Sequence, residues 1–204
     1  MLNITTRISL SKRAKKQIIK LKNKNAGSFN ENSWTSISAN VKNEISKRLL
    51  LAHSPRCVYC ERYFISTGNQ IDHFAHKAAY PQFSFSSLNL FNSCTYCNSS
   101  SRKGQKPTVI DPPNNRYDQC IFSIVHLFLN DPDVEIVFKD ADKVDYDWTG
   151  CSQKGKDTIL LFGWDDTMMT MFRARVLIEE RLKPLTSLEE INLIQEIISY
   201  KKKA

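Results

Sequence analysis

Four of the six cysteines fall in two Cys-x-x-Cys pairs, Cys57/Cys60 and Cys94/Cys97, and the stretch from residue 71 reads IDHFAHKAAYPQFSFSSLNLFNSCTYCN. Two residues between cysteines let both sulfurs of a tight knuckle reach one ion, and two knuckles supply the four thiolates of a closed, structural zinc site. A redox disulfide is the other reading of such a pair, but it calls for a helix start in a βαβ setting that the sequence does not offer. Cys120 and Cys151 have no partner at ligand spacing and read as small buried side chains. The linker between the pairs is longer than in a simple zinc ribbon, so we expect chemistry to lie within it.

Asp72 and Asn98 are hard oxygen ligands of the kind Mg²⁺ or Mn²⁺ selects. His73, beside one of them, titrates near neutrality and can take a proton from water. Taken singly, an Asp-His dipeptide reads as a surface loop and an asparagine after Cys-x-x-Cys as a helix cap. Asp72-His73 between the knuckles and Asn98 directly after the second together favour a site. His76 reads either as a further ligand or phosphate contact or as a solvent-facing loop residue, and His53 and His126 read as structural.

Asp72-His73, Asn89 in LNL and Asn98 after the second pair resemble the HNH endonuclease family with its ββα-metal fold. The wider run, CVYCE with IDHF, Tyr80-Pro81, NL and C-x-x-CN, is similar to HNH nucleases of bacterial anti-phage modules of the Septu and retron type. IDP at residues 110–112 and KDTILLFGW followed by Arg173 extend the likeness, which runs from Trp34 to Arg181, strongly in the middle and loosely at the end. The resemblance implies a metal-dependent phosphodiester hydrolase that leaves a 5′ phosphate and a 3′ hydroxyl. It casts Asp72 and Asn98 as ligands of a catalytic Mg²⁺ or Mn²⁺, His73 as general base and Asn89 as the residue that orients it. It also implies an ATPase partner. DNA is the favoured substrate, RNA such as tRNA is a second, and a zinc-stabilised binding module without catalysis is a third reading. Lys77, Arg102, Lys103 and Lys106 flank the motif and are expected to contact nucleic-acid phosphates.

The elements that must position these residues are partly legible. In residues 11–24, SKRAKKQIIKLKNK reads as a basic helix with Ile18, Ile19 and Leu21 on its apolar side. Trp34, Ile37, Val41, Ile45 and Leu49 predict one amphipathic helix that delivers the chain to the first knuckle. A hairpin, a loop and a helix near the second pair should follow. CIFSIVHLFL and VEIVF look like strands, the first alternatively a buried helix, with a turn at DPD between them; DTILLFGW is ambiguous. MMTMFRARVLIEERLK predicts a helix stopped by Pro184, and the capping box from Ser187 to Glu190 opens a last one. The expected class is therefore α+β: a basic N-terminal arm over 1–30, a zinc-stabilised core over 31–115 and an α/β-to-helical extension over 116–204.

With 204 residues the chain suits one domain with an appendage, and its net charge of +8 suits a phosphate-rich partner. Arg7, Lys12, Arg13, Lys15, Lys16, Lys20, Lys22 and Lys24 all precede the first acidic residue, Glu31, so the excess charge sits in the arm. That arm reads equally as a track for a nucleic-acid backbone and as a solvated or protein-docking segment. No apolar run is long enough to span a bilayer and the N-terminus lacks a secretory h-region, so a cytoplasmic location is the expectation.

Overall fold

The computed structural model describes residues 4–112 and 116–182, with side chains placed as far as residue 178. It is an α+β fold with two small antiparallel sheets and the helices α1 Lys12–Lys24, α2 Ser33–Ser36, α3 Ala39–His53, α4 Phe64–Thr67, α5 Pro132–Glu135, α6 Gln153–Phe162 and α7 Thr167–Leu182. The strands β1 Gln70–His73 and β2 Leu90–Ser93 pair in the register Asp72↔Phe91 and His73↔Leu90. The strands β3 Val109–Asp111 and β4 Ile121–Phe122 form the second sheet. The last expected helix, from residue 187, lies outside the described residues.

The α1 helix starts where Ser11 accepts a hydrogen bond from the Ala14 amide at 3.2 Å, the usual service of a serine N-cap. Its Ala14, Ile18 and Leu21 face inward onto α3, where Val41, Ile45 and Leu49 recur at every fourth position and are fully buried beneath Leu90 of β2. The N-terminal segment is thus part of the core. Two compact units divide the chain, Met1–Val137 with Asp147–Trp164, and Phe138–Tyr146 with Asp165–Ala204. In the second unit Arg173 donates to the Val144 carbonyl at 2.7 Å and lies over the Tyr146 ring.

Three local expectations are corrected. The apolar stripe from Trp34 to Leu49 does not form one helix: Ile37 is extended, with ψ 146°, and Ser38 opens α3 as its N-cap, which leaves Trp34 on the separate α2. No helix follows directly on the second cysteine pair. Residues 94–107 run as successive turns, because three serines favour bonds to nearby backbone over helix and Gly104 takes a left-handed φ of 45°. A Cβ at Gly104 would come within 2.9 Å of the Ser100 Cα, so the turn needs glycine. Only Ile121 and Phe122 of CIFSIVHLFL form a strand, and in VEIVF the strand gives way to α5, opened by Asp131 of the expected DPD turn. The ambiguous DTILLFGW belongs to α6, which ends on Gly163 in the left-handed conformation.

His126 and His53 are buried as expected. His126 accepts from the Phe128 amide on Nδ1 at 3.2 Å, so Nε2 carries the proton and donates to the Leu88 carbonyl at 3.1 Å. Burial pushes His126 down to about 3 and His53 to about 4 from an ordinary 6.5. Below pH 6.5 the unfolded chain takes up protons that the fold refuses. Stability is therefore full above that pH and falls as pH drops toward the folded values. His126 alone should cost about 2 kcal/mol between pH 7 and pH 5. Urea titrations at the two pH values should show a smaller drop for His126→Gln than for the parent chain; equal drops would contradict a neutral His126.

Candidate functional site

The first knuckle is closed by the Cys57 amide donating to the Arg62 carbonyl at 2.9 Å, and the second by the Cys97 amide donating to Cys94 Sγ at 3.4 Å. All four sulfurs lie within 4.8 Å of one another, with Cys60 and Cys94 at 3.7 Å. Ligands about 2.3 Å from a tetrahedral zinc sit roughly 3.8 Å apart, so the cluster fits that ion. The thiols are free rather than disulfide-bonded. Hydrogen bonding from Cys57, Cys60 and Cys97 pulls the Cys94 thiol far down, Cys57 draws Cys60 to about 7, and burial pushes Cys57 up. The same hydrogen bonds push the Cys97 thiol up. Cys120 and Cys151 stand apart as buried single thiols.

Asp72 and His73 end β1, where the hairpin opens into the loop over residues 74–89. Asp72 is buried and its carboxylate is held on both sides: Tyr59 OH donates to Oδ2 at 2.5 Å, and Lys103 Nζ donates to Oδ1 at 2.8 Å. Tyr59 lies inside the first knuckle, where the sequence reads it as a spacer. Burial keeps its phenol protonated, as a donor must be, and its ring stacks on Phe162. Lys103 is fully buried, and its backbone amide is tied to the Cys97 carbonyl at 3.2 Å. Its ammonium also donates to the His73 carbonyl at 2.7 Å. Here the expectation of a phosphate contact is corrected: Lys103 points inward, because only an internal cation neutralises so buried a carboxylate.

His73 Nε2 lies 3.1 Å from the Ser84 carbonyl, which can only accept, so the proton sits on Nε2 and Nδ1 is left as the acceptor. The Trp34 ring meets the imidazole edge-on at 4.4 Å and fixes its plane. Burial drives the His73 pKa down to about 3, well below the near-neutral titration expected of it, so the ring is neutral throughout the physiological range. Asn89 does not touch His73. Its Oδ1 accepts from the Ala75 amide (2.6 Å) and Tyr117 OH (3.1 Å), while Nδ2 donates to the Ala75 and Phe83 carbonyls, both at 3.1 Å. That is the full capacity of a primary amide. Asn89 therefore reaches His73 indirectly, by holding Phe83, the residue before Ser84.

Asp72, His73, His76, Lys77, Asn98, Ser100 and Lys106 line one cleft of about 680 Å³. Asn98 is half-buried and donates to Gln70 Oε1 at 2.9 Å. His76 is half-buried in the same wall, and Lys106, exposed, donates to the Ser101 carbonyl. Arg102 is not part of the cleft lining. It lies over Tyr96 and against Gly163, where an added Cβ would collide with its guanidinium. Of the four expected phosphate contacts, Lys77 and Lys106 are brought to the cleft. Tyr59, Trp34, Ser84 and Tyr117 are the contributors that sequence reasoning missed; a large, polar-tipped aromatic between two ligand cysteines was the one available signal.

No protein-family model matches the sequence, and no curated protein matches it. Among the described residues no helix is long and apolar enough to cross a membrane.

Proposed function

We propose that the chain is an HNH-type endonuclease that hydrolyses phosphodiester bonds, with DNA as its first substrate and a role as effector of a bacterial anti-phage system alongside an ATPase partner. The observation that carries the reading is the convergence of Asp72, His73, Asn98, Lys77 and Lys106 on one cleft beside the four-cysteine cluster. The missing helix after the second pair is a departure from the ββα pattern. It leaves the hairpin that presents Asp72 and His73 intact.

The donor set suits a divalent cation. Asp72 and Asn98 offer oxygens to the cleft, and a carboxylate with about four lone-pair sites has two left after Tyr59 and Lys103 are served. Such an ion, Mg²⁺ or Mn²⁺, would be held by Asp72 and Asn98 and would supply charge neutralisation at the scissile phosphate. The chain's own part is positional and basic. Ser84 and Trp34 hold the imidazole so that Nδ1 is the free acceptor, and from there His73 takes a proton from water attacking phosphorus. Lys77 and Lys106 attract the phosphodiester, and Tyr59 and Lys103 hold the Asp72 carboxylate in one orientation.

Cleavage of plasmid DNA and of matched RNA, each with Mg²⁺ or Mn²⁺, tests the reading. His73→Ala should lower the rate by about a hundredfold or more while leaving the fold intact. Undiminished cleavage by that variant would remove His73 as the base, and the DNA and RNA arms decide the substrate.

A further inference from the structure

One outward face of α1 gathers Lys12, Arg13, Lys16 and Lys20 around a shallow groove that also includes Gln17. All four cations are exposed, and none forms an ion pair with a described residue. Glu44, whose carboxylate meets the start of the helix, is occupied by the amide and hydroxyl of Ser11. Residues 1–30 contain no acidic side chain and carry a charge equal to the chain's entire excess of +8. Such a concentration of like charge costs self-repulsion that salt screens in part and an anionic partner relieves further.

The character of the partner follows from the rest of the helix. The apolar side of α1 is spent on the core through Ala14, Ile18 and Leu21; Ile19, expected on that side, is exposed instead, and one such side chain is not a face to bury in a bilayer. The exposed groove lacks the aromatic or aliphatic anchor around which protein interfaces are built, and lysine is depleted in such interfaces. Lys12, Lys16 and Lys20 sit one above another over about 12 Å of helix axis, a rise of 1.5 Å per residue. Phosphates of one duplex strand advance about 3.4 Å each along the DNA axis and lie farther apart along the winding backbone, so this row spans two or three of them.

A short run of contacts leads from the groove to a residue of the cleft. Ser38 Oγ donates to Gln17 Oε1 at 2.6 Å, and Ser38 caps α3 at the junction with α2, whose Trp34 abuts the His73 ring. We propose that the outward face of α1 binds a nucleic-acid phosphate backbone and leads it toward the Asp72–His73 cleft. The proposal rests on the nuclease reading for the cleft but reads out separately from it.

The test is fluorescence-anisotropy titration of the zinc-loaded chain with a labelled duplex and a labelled single strand, without added Mg²⁺ or Mn²⁺, over a series of salt concentrations. Lys12→Gln/Lys16→Gln/Lys20→Gln should weaken binding at least tenfold and flatten the log Kd against log salt slope by about 2.7, or 0.9 for each phosphate no longer neutralised. A charge-matched control, Lys47→Gln/Lys139→Gln/Lys143→Gln, should change binding less than twofold, with circular dichroism confirming that both variants fold. Binding by the α1 variant equal to that of the control overturns the proposal. So does tight, α1-dependent binding to phosphatidylserine vesicles with no binding to either nucleic acid. If the parent chain cuts DNA and the α1 variant binds normally, the inference fails and the nuclease reading stands; if nothing is cut but the α1 variant loses binding, the reverse holds.

Discussion

Stripping zinc with a strong chelator, or replacing Cys97 with serine, is expected to abolish the cooperative unfolding transition of the unit that holds the cleft. Structural Cys₄ sites contribute on the order of 10 kcal/mol to folding at neutral pH, more than a domain of this size ordinarily has in reserve. The local architecture argues for the upper end of that effect. Between the pairs, the short hairpin of β1 and β2 is the described regular sheet, and the remainder is loop and single helical turns. Circular dichroism melts with and without chelator, followed by refolding on added Zn²⁺, check this. A chelated chain that melts at the same temperature would show that the thiols, not a metal, hold the knuckles.

Lys103→Met should destabilise the zinc-loaded chain by about 3–5 kcal/mol, the usual cost of leaving one member of a buried ion pair alone. Lys103 is fully buried and Asp72 is 3% exposed, so water does not take over the lost charge. Adding Asp72→Asn to Lys103→Met should restore much of the loss, because the amide carries no charge to strand. Urea denaturation of the two variants and the parent gives the comparison. A Lys103→Met chain within about 1 kcal/mol of the parent would mean that the pair is not formed in solution.

What could be read from the sequence divides along physical lines. The cysteine cluster was legible because metal ligation restricts spacing so strongly that four residues suffice. The basic helix and α3 were legible from their 3.6-residue periodicity, and His53 and His126 proved buried as expected. The break at Ile37 was not, since an apolar stripe does not register a single extended residue in its middle. Nor was the absence of a helix after Cys97, where local serine and glycine preferences outweighed the pattern. In the candidate site, sequence named Asp72, His73, Asn89 and Asn98 but not their supports. Tyr59 and Lys103 are 13 and 31 positions from Asp72, and pairing at that range depends on the closed fold. The inward turn of Lys103 shows the same limit: a lysine in a basic stretch reads as surface until the carboxylate beneath it is placed.

The two-sided grip on Asp72 also bears on synthesis. One support arrives with the first knuckle, before Asp72 itself, and the other only at Lys103, five residues beyond Asn98. A chain still being translated that ends short of this lysine presents the Asp-His pair on an unfinished hairpin with an unneutralised carboxylate. All the cleft residues have emerged once Lys106 is made, about half-way along the 204 residues and after α1 and α3.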